Sequence, residues 1–130
     1  MKRYSALSIV APGGDLICEG KKILEIRRWS PTELPLKGLL IVQNSIRLSR
    51  SGQTGDPGGR AVALVDIEDV SEWREEDLEA ACGSAWEPGW LAWRLVNVRP
   101  VDCGHPVEAK LGIYEVEVPD LPWQNGHFSR

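Results

Sequence analysis

Residues 20–29 have the sequence GKKILEIRRW, in which a glycine that can end a helix is followed by two lysines. Its second half alternates apolar and polar residues, which is typical of a β-strand because successive side chains on a strand point to opposite faces. The alternation predicts a strand over 22–29 in which Glu25, Arg27 and Trp29 share one face. Leu24 and Ile26 then face the core. A carboxylate, a guanidinium group and an aromatic ring in one row can recognise a small, planar, polar group.

The rest of the sequence predicts a mixed α+β, mainly β fold. Pro12 and Gly20 bound one short predicted helix, and Ser71 and Gly83 bound a second. Apolar runs and alternating patterns predict the strands, which cover residues 5–10, 22–29, 38–42, 60–70, 90–101 and 112–118. Because no βαβ spacing repeats, these elements indicate a small β-barrel of five or six strands with two or three short helices at its mouth.

Length and charge limit the domain organisation and the partners. A chain of 130 residues predicts a single domain over 1–130, with a core over about 5–118 and a partly ordered tail over 119–130. The net charge is -4, but residues 1–50 carry 9 Lys/Arg against 4 Asp/Glu. Either this asymmetry averages out in the folded sheet or the basic third forms one local anion-attracting patch. In both cases we expect no extended duplex DNA partner, because proteins that bind duplex DNA are usually basic as a whole.

The cysteines indicate neither a disulfide framework nor a metal centre. Three cysteines, Cys18, Cys82 and Cys103, are present without C-x-x-C spacing, and the pair Cys103 and His105 supplies too few ligands for a closed zinc site. No segment has the roughly 20 apolar residues of a membrane span. The sequence therefore predicts no metal, no cofactor, no membrane partner and a cytoplasmic location.

Several segments together resemble the ASCH domain. The order Ile9-Val10-Ala11-Pro12 followed by G-x-K-x-x-E-x-R over 20–27 is similar to the family signature. Later segments agree with it, namely 38–41 with a G-x-L-x-I strand, 92–100 with an A-W-x-L-x-N-x-R-P segment, and 110–114 with a closing G-x-[WY] strand. The resemblance spans about 5–118. One departure is that Gly13-Gly14 stands where the family often has a tryptophan. Trp29 or Trp86 could take over the role of this aromatic ring in stacking on a base or forming the cleft wall.

The resemblance implies a PUA-like β-barrel with a cleft between the barrel and the first helix, and a role connected to RNA or modified nucleosides. Within it, the small bacterial acetylcytidine amidohydrolases have a Lys-Thr-Ile-Thr-Ile-Arg run that is similar to residues 22–27. Lys22 then matches the catalytic lysine and Arg27 the arginine, whereas Glu25 occupies the threonine position. A third carboxylate would come from the region of Glu75, Glu76 and Glu79, although this acidic run is more typical of a solvated helix face.

Two functional interpretations follow. In the first, which the missing threonine favours, the cleft binds single-stranded RNA or a nucleoside or nucleobase through stacking and hydrogen bonds. In the second, Lys22 and Glu25 are the catalytic residues of a hydrolase that acts on N-acylated cytidine or of a ribonuclease. Structural roles are the alternative for these residues. Glu25 and Arg27 could form an ion pair at the barrel rim, and Trp29 could pack against the cleft wall. Asn44 and Ser45, which follow the buried strand, could form a turn. The predicted ligand-binding residues are Lys22, Glu25, Arg27, Trp29, Asn44 and Ser45.

Overall fold

The structure, a computed structural model, describes residues 1–101 and 105–120. The residues that it describes form a mainly β fold. The strands are β1 (Lys2–Val10), β2 (Leu24–Arg27), β3 (Leu36–Asn44), β4 (Gly55–Asp56), β5 (Arg60–Glu72), β6 (Leu91–Pro100), β7 (Ala109–Lys110) and β8 (Ile113–Val118). One α-helix, α1 (Gly13–Cys18), follows β1, and two single 3-10 turns cover Glu75–Asp77 and Glu79–Ala81.

Six strands form one sheet in the order β2-β6-β5-β3-β1-β8, and β4 and β7 form a separate pair. Only β1 and β3 run parallel; the other pairs in the sheet are antiparallel. The prediction of a closed barrel is wrong, because the described strands β2 and β8 are sheet edges that do not pair with each other. The short strand β2 is linked to β1 by a side chain and not by backbone pairing. Arg27 Nη2 donates to the Ser8 carbonyl oxygen at 2.9 Å.

The two strands predicted from continuous apolar runs are confirmed at the centre of the sheet. Residues 39–42 of β3 and residues 61–67 of β5 are all buried, as expected for strands that are covered on both faces. One core cluster includes Leu7, Ile41 and Trp93, a second includes Leu40 and Val101, and a third, smaller one includes Trp73. The core position predicted for Trp93 is confirmed, because its side chain is fully buried.

Helix α1 confirms the first predicted helix with slightly shorter bounds. Gly20 ends it with a positive φ of 78°, a conformation that glycine adopts without strain. At its start, a Cβ on Gly14 would lie 2.9 Å from both Gln43 Oε1 and Val62 Cγ2. The glycine pair therefore lets the helix backbone approach the sheet closely, and this explains why no large side chain stands at this position.

The prediction of a second helix over 71–83 is wrong. β5 continues to pair with β6 as far as Glu72, opposite Leu91, and the Trp73 backbone N–H then donates to the Trp90 carbonyl oxygen at 2.9 Å. The pairing with β6 uses the residues that would have formed the first helical turn, so the remaining acidic segment forms only the two 3-10 turns. Trp73 Nε1 donates to the Asp77 carbonyl oxygen at 3.2 Å and holds the first turn in place.

Some predictions fall outside the described residues. Cys103 and the greater part of the predicted tail, residues 121–130, lie there. In the part of the chain that the structure describes, no helix has the length and apolar character needed to cross a membrane.

Candidate functional site

A cavity of about 770 Å³ lies between the start of α1 and the ends of β1 and β2. Its other walls come from the loop after β3, the segment after the second 3-10 turn, and the turn between β7 and β8. A volume of this size is typical of a small-ligand pocket. Five of the six predicted ligand-binding residues line it, namely Lys22, Glu25, Arg27, Trp29 and Asn44, and Ser45 does not.

Lys22 is fixed between helix α1 and the second 3-10 turn. Its backbone N–H donates to the Leu16 carbonyl oxygen at 3.1 Å, which closes the C-terminal end of the helix. Its ammonium group donates to the Ala81 carbonyl oxygen at 2.8 Å and lies 3.3 Å from Glu25 Oε1. The Lys22 side chain is only 11% exposed. It is therefore held in place at the base of the cavity and is not a freely solvated surface lysine.

Glu25 connects Lys22, which precedes β2, with Arg27 at the end of β2. Its Oε1 lies against Lys22, and its Oε2 accepts a hydrogen bond from Arg27 Nε at 2.8 Å. Its side chain is 7% exposed, so both carboxylate oxygens are engaged inside the protein. The alternation over 24–27 correctly placed Glu25 and Arg27 on one face. That face contains Glu25, the one buried residue of β2, whereas Leu24 and Ile26 are only partly buried against a small cluster around Trp73.

Arg27 reaches from β2 across to β1. Its Nε is bound to Glu25 and its Nη2 to the Ser8 carbonyl oxygen. Ser8 Oγ accepts a hydrogen bond from the Lys110 backbone N–H at 3.0 Å and shares a second one with the Tyr114 hydroxyl at 2.9 Å. Burial raises the pKa of the Tyr114 phenol, although its hydrogen bonds with Ser8 and with the backbone of the β7–β8 turn act in the opposite direction. This network fixes the turn that carries Lys110 against the cavity.

Trp29 lies at the cavity just after β2 ends, and 38% of it is exposed. It forms a T-shaped contact with Trp93, with ring centroids 4.9 Å apart and the planes at 83°. Trp93 Nε1 donates to the Trp29 carbonyl oxygen at 2.9 Å. The ring is thus positioned by the core while part of it stays accessible. Trp86, the other tryptophan considered for this role, packs against Trp73 and does not line the cavity.

Asn44 and Ser45 differ in their environments. Asn44 is buried, and its amide nitrogen donates to the Ile46 carbonyl oxygen and to Asp56 Oδ2. These bonds hold the loop after β3, which is the turn role that the sequence left open. Ser45 is exposed and lies outside the set of lining residues.

Three further cations line the cavity, namely Arg28, Arg47 and Lys110. None of them was among the predicted ligand-binding residues. The Arg28 guanidinium group lies 4.7 Å from the centre of the Trp90 ring, and among the described residues it forms no ion pair with a carboxylate. Together with Lys22 and Arg27, five Lys/Arg line the cavity, whereas Glu25 is the only Asp or Glu among the described residues that does so. Only the excess of basic residues over 1–50 indicated such a concentration, and Lys110 lies outside that range.

The acidic residues considered as a third catalytic group lie elsewhere. Glu75, Glu76 and Glu79 are exposed on the 3-10 turns, and none of them lines the cavity. Across residues 1–101 and 105–120, no group of three or more His, Cys, Asp or Glu side chains could hold a metal ion.

The fold and the cavity define a small, mainly β domain with a basic cleft beside its first helix. The family model of the ASCH domain matches residues 7–104, and the chain belongs to this PUA-like family. The resemblance seen in the sequence is thereby confirmed.

A solved structure from Zymomonas mobilis has a similar fold. A tyrosine-to-phenylalanine mutant of the ASCH protein ZmASCH superposes with a TM-score of 0.51 and 17% identity, over 80% of this chain and 76% of that one. A serine-to-alanine mutant of ZmASCH gives a TM-score of 0.48 and 16% identity, over 78% and 73% of the two chains. At this identity the likeness concerns the fold alone. The comparison with curated proteins gave no match.

Proposed function

We propose that this ASCH domain binds short single-stranded RNA, or a nucleoside or nucleotide derived from it, in the basic cavity. The single observation that carries the proposal is the composition of the cavity wall, to which the described residues contribute five Lys/Arg and one Asp/Glu on a chain of net charge -4. Basic residues gathered in one cavity attract a polyanion locally while the acidic remainder of the surface repels it. The ligand therefore binds in the cavity and not along the outer surface.

The shape of the site favours a single strand over a duplex. Lys22 and Arg27 have side chains that are only 11% and 24% exposed, so a ligand has to enter the cavity to reach them. A flexible single strand can insert one nucleotide, whereas a rigid duplex keeps its phosphates on the outside of a wide cylinder. Trp29 supplies an accessible aromatic ring, and stacking on such rings is the usual mode of single-strand binding.

Photocrosslinking tests this proposal directly. The full chain is titrated with a short single-stranded RNA and with duplex DNA of equal length, and the crosslinked peptides of the RNA complex are mapped. The expected result is preferential RNA binding with crosslinks in the peptides that carry Trp29 and Lys110. Equal affinity for the duplex, or crosslinks confined to surfaces away from the cavity, would contradict the proposal.

A hydrolase is the second candidate, and the contact between Lys22 and Glu25 favours it. The Lys22 ammonium group lies 3.3 Å from the Glu25 carboxylate inside the cavity, and a partly buried lysine beside a carboxylate can act as an acid/base pair. The same carboxylate is also bound to Arg27, and Glu25 is the only described acidic residue in the cavity wall, which leaves a hydrolase without a second carboxylate.

Product formation separates the two candidates. The chain is incubated with N-acylated cytidine and, separately, with RNA, and the release of the acyl group and the length of the RNA are followed. Turnover that is lost in Lys22→Met would establish the hydrolase or the ribonuclease. Binding of these compounds without any product is the result expected for the binding module.

A further inference from the structure

The base of the cavity carries more positive than negative charge. Lys22 and Arg27 share a single carboxylate, that of Glu25, and all three side chains are at least three-quarters buried. Isolated charge is unfavourable in a partly desolvated site unless it is paired and hydrogen-bonded. This group of three, which we call the basic triad, therefore has a net charge of +1 that an anionic ligand would neutralise.

The basic triad also retains hydrogen-bond donors. The Lys22 ammonium group has three N–H bonds, and its partners among the described residues are the Ala81 carbonyl oxygen and Glu25. Arg27 uses Nε and Nη2, and its Nη1 has no partner among the described residues. One ammonium donor and one guanidinium nitrogen thus remain for a ligand. Glu25, in contrast, is only 7% exposed and each of its oxygens faces a cation, so its carboxylate is poorly placed to meet the exocyclic amine of a base.

We propose that the basic triad binds the terminal phosphate monoester of a nucleotide or of an RNA end, and this inference rests on the proposed RNA-binding function. It reverses the ligand orientation that the sequence suggested, because the phosphate and not the base edge lies at the base of the cavity. Arginine and lysine are the residues that bind phosphate oxygens through charge-assisted hydrogen bonds.

Charge distinguishes a terminal phosphate from an internal one. A phosphate monoester has a charge of about −1.5 to −2 at pH 7, because its second pKa is about 6, whereas an internal diester carries a single charge. The basic triad neutralises one unit. Arg28, Arg47 and Lys110 also line the cavity, and none of them forms an ion pair within the described residues. These three side chains supply the remaining positive charge, which suits a doubly charged group better than a singly charged one.

The test compares ligands that differ only in the phosphate. Cytidine, cytidine 5′-monophosphate, cytidine 3′-monophosphate and inorganic phosphate are titrated into the full chain by calorimetry at pH 7.5 and at pH 5. We expect at least one of the two nucleotides to bind roughly tenfold or more tightly than cytidine at pH 7.5. This preference should shrink at pH 5, where the monoester has lost most of its second charge. The two nucleotides show whether a 5′ or a 3′ end is recognised.

Two arginines of one loop serve as matched variants that leave the basic triad intact. Arg47→Gln removes a cation of the cavity wall and should reduce the preference for nucleotide over nucleoside. Arg50→Gln removes an exposed cation that does not line the cavity and should leave the preference unchanged.

The outcomes separate this inference from the proposed function. If cytidine binds as tightly as its monophosphates, or if the preference is the same at both pH values, the phosphate site is contradicted although RNA binding stands. If single-stranded RNA binds but neither monophosphate does, the terminal phosphate site is likewise contradicted. If neither RNA nor any nucleotide binds, both proposals fail together.

Discussion

The Glu25 carboxylate accepts a hydrogen bond from Arg27 Nε at 2.8 Å, two residues further along the same strand, while its other oxygen lies 3.3 Å from the Lys22 ammonium group. One buried carboxylate thus holds both cations at the base of the cavity. Its first role is to position these two cations, since the carboxylate is only 7% exposed and each oxygen faces one of them.

Replacement of this carboxylate should therefore reduce stability. Glu25→Gln removes the negative charge from between two largely buried cations, and we expect the free energy of unfolding to fall by roughly 3 kcal/mol, as when a buried ion pair is broken. Urea unfolding at pH 7 measures this change. Glu115→Gln is the control, because Glu115 pairs with Arg3 on the surface and should change stability by less than about 1 kcal/mol. Equal, small effects of both changes would show that Glu25 has no structural role.

The exposed ring of Trp29 should contribute to RNA affinity. Trp29→Ala removes the aromatic surface at the cavity, and stacking of one base is worth about 1–3 kcal/mol, so we expect binding to weaken by roughly tenfold. Trp29→Phe should retain most of the affinity because a smaller ring can still stack. Leu34→Ala, which changes an exposed apolar residue outside the cavity, is the control for fluorescence anisotropy with 3′-labelled RNA. Loss of affinity in Leu34→Ala but not in Trp29→Ala would place the RNA elsewhere.

The buried carboxylate of Asp66 should make stability depend on pH in the acidic range. Burial alone would raise its pKa, but hydrogen bonds from Asn97 and from the Gly38 backbone, with the charge of Arg99, outweigh burial and lower the pKa. A lowered pKa in the folded state stabilises the protein above the ordinary carboxyl pKa of about 3.9, and this stabilisation is lost as the pH falls below that value.

Asp66→Asn should therefore be less stable than the unmodified chain at pH 7, by roughly 2 kcal/mol, and the difference should narrow below about pH 4. Unfolding curves between pH 7 and pH 2 measure it. Glu117→Gln, a change at the exposed partner of Arg3, is expected to have little effect over the same range. A stability difference between Asp66→Asn and the unmodified chain that stays constant down to pH 2 would contradict a lowered pKa of Asp66 in the folded state.

The cysteines provide a chemical probe of the cavity. Burial, with smaller contributions from the charges of Asp15 and Glu19, raises the pKa of the Cys18 thiol to about 11, whereas Cys82 is exposed and lines the cavity. Because the thiolate is the reactive form, we expect iodoacetamide at pH 8 to modify Cys82 at least about tenfold faster than Cys18. Bound RNA should slow the reaction at Cys82. Peptide mass spectrometry separates the two sites, and an unprotected Cys82 in the saturated complex would contradict binding in this cavity.

The strands and the candidate face could be predicted because both depend on local patterns. Residues 38–42 and 61–65 form continuous apolar runs that fit buried strands, and the alternation over 24–27 placed Glu25 and Arg27 together. Local patterns do not determine whether the sheet closes into a barrel. Closure depends on whether the edge strands β2 and β8 pair, and these strands are distant in sequence. The helix over 71–83 was predicted from its caps, but pairing of Glu72 with Leu91 overrode them.

The cations of the cavity show the same limit. Arg47 and Lys110 are far apart in sequence. The loop that carries Arg47 is held by Asn44, which donates a hydrogen bond to Asp56, and the Lys110 backbone N–H donates to Ser8 Oγ. No local pattern brings such residues together. Lys22 and Arg27 were selected from the sequence because they lie on one short strand and the turn before it, where spacing alone determines their proximity.

A matched pair of double variants tests whether RNA binds in the basic cavity. The measurement is the affinity for 3′-labelled single-stranded RNA as a function of salt. In Arg47→Gln/Lys110→Gln, which neutralises two cations of the cavity wall, we expect affinity to fall by at least roughly tenfold at low salt. The slope of log K against log salt should also become less steep by about 1.4, since each phosphate contact on a single strand contributes about 0.7. Arg50→Gln/Arg60→Gln removes the same charge from exposed positions outside the cavity and should bind as the unmodified chain does. Equal losses of affinity and slope in the two double variants would contradict the cavity as the site.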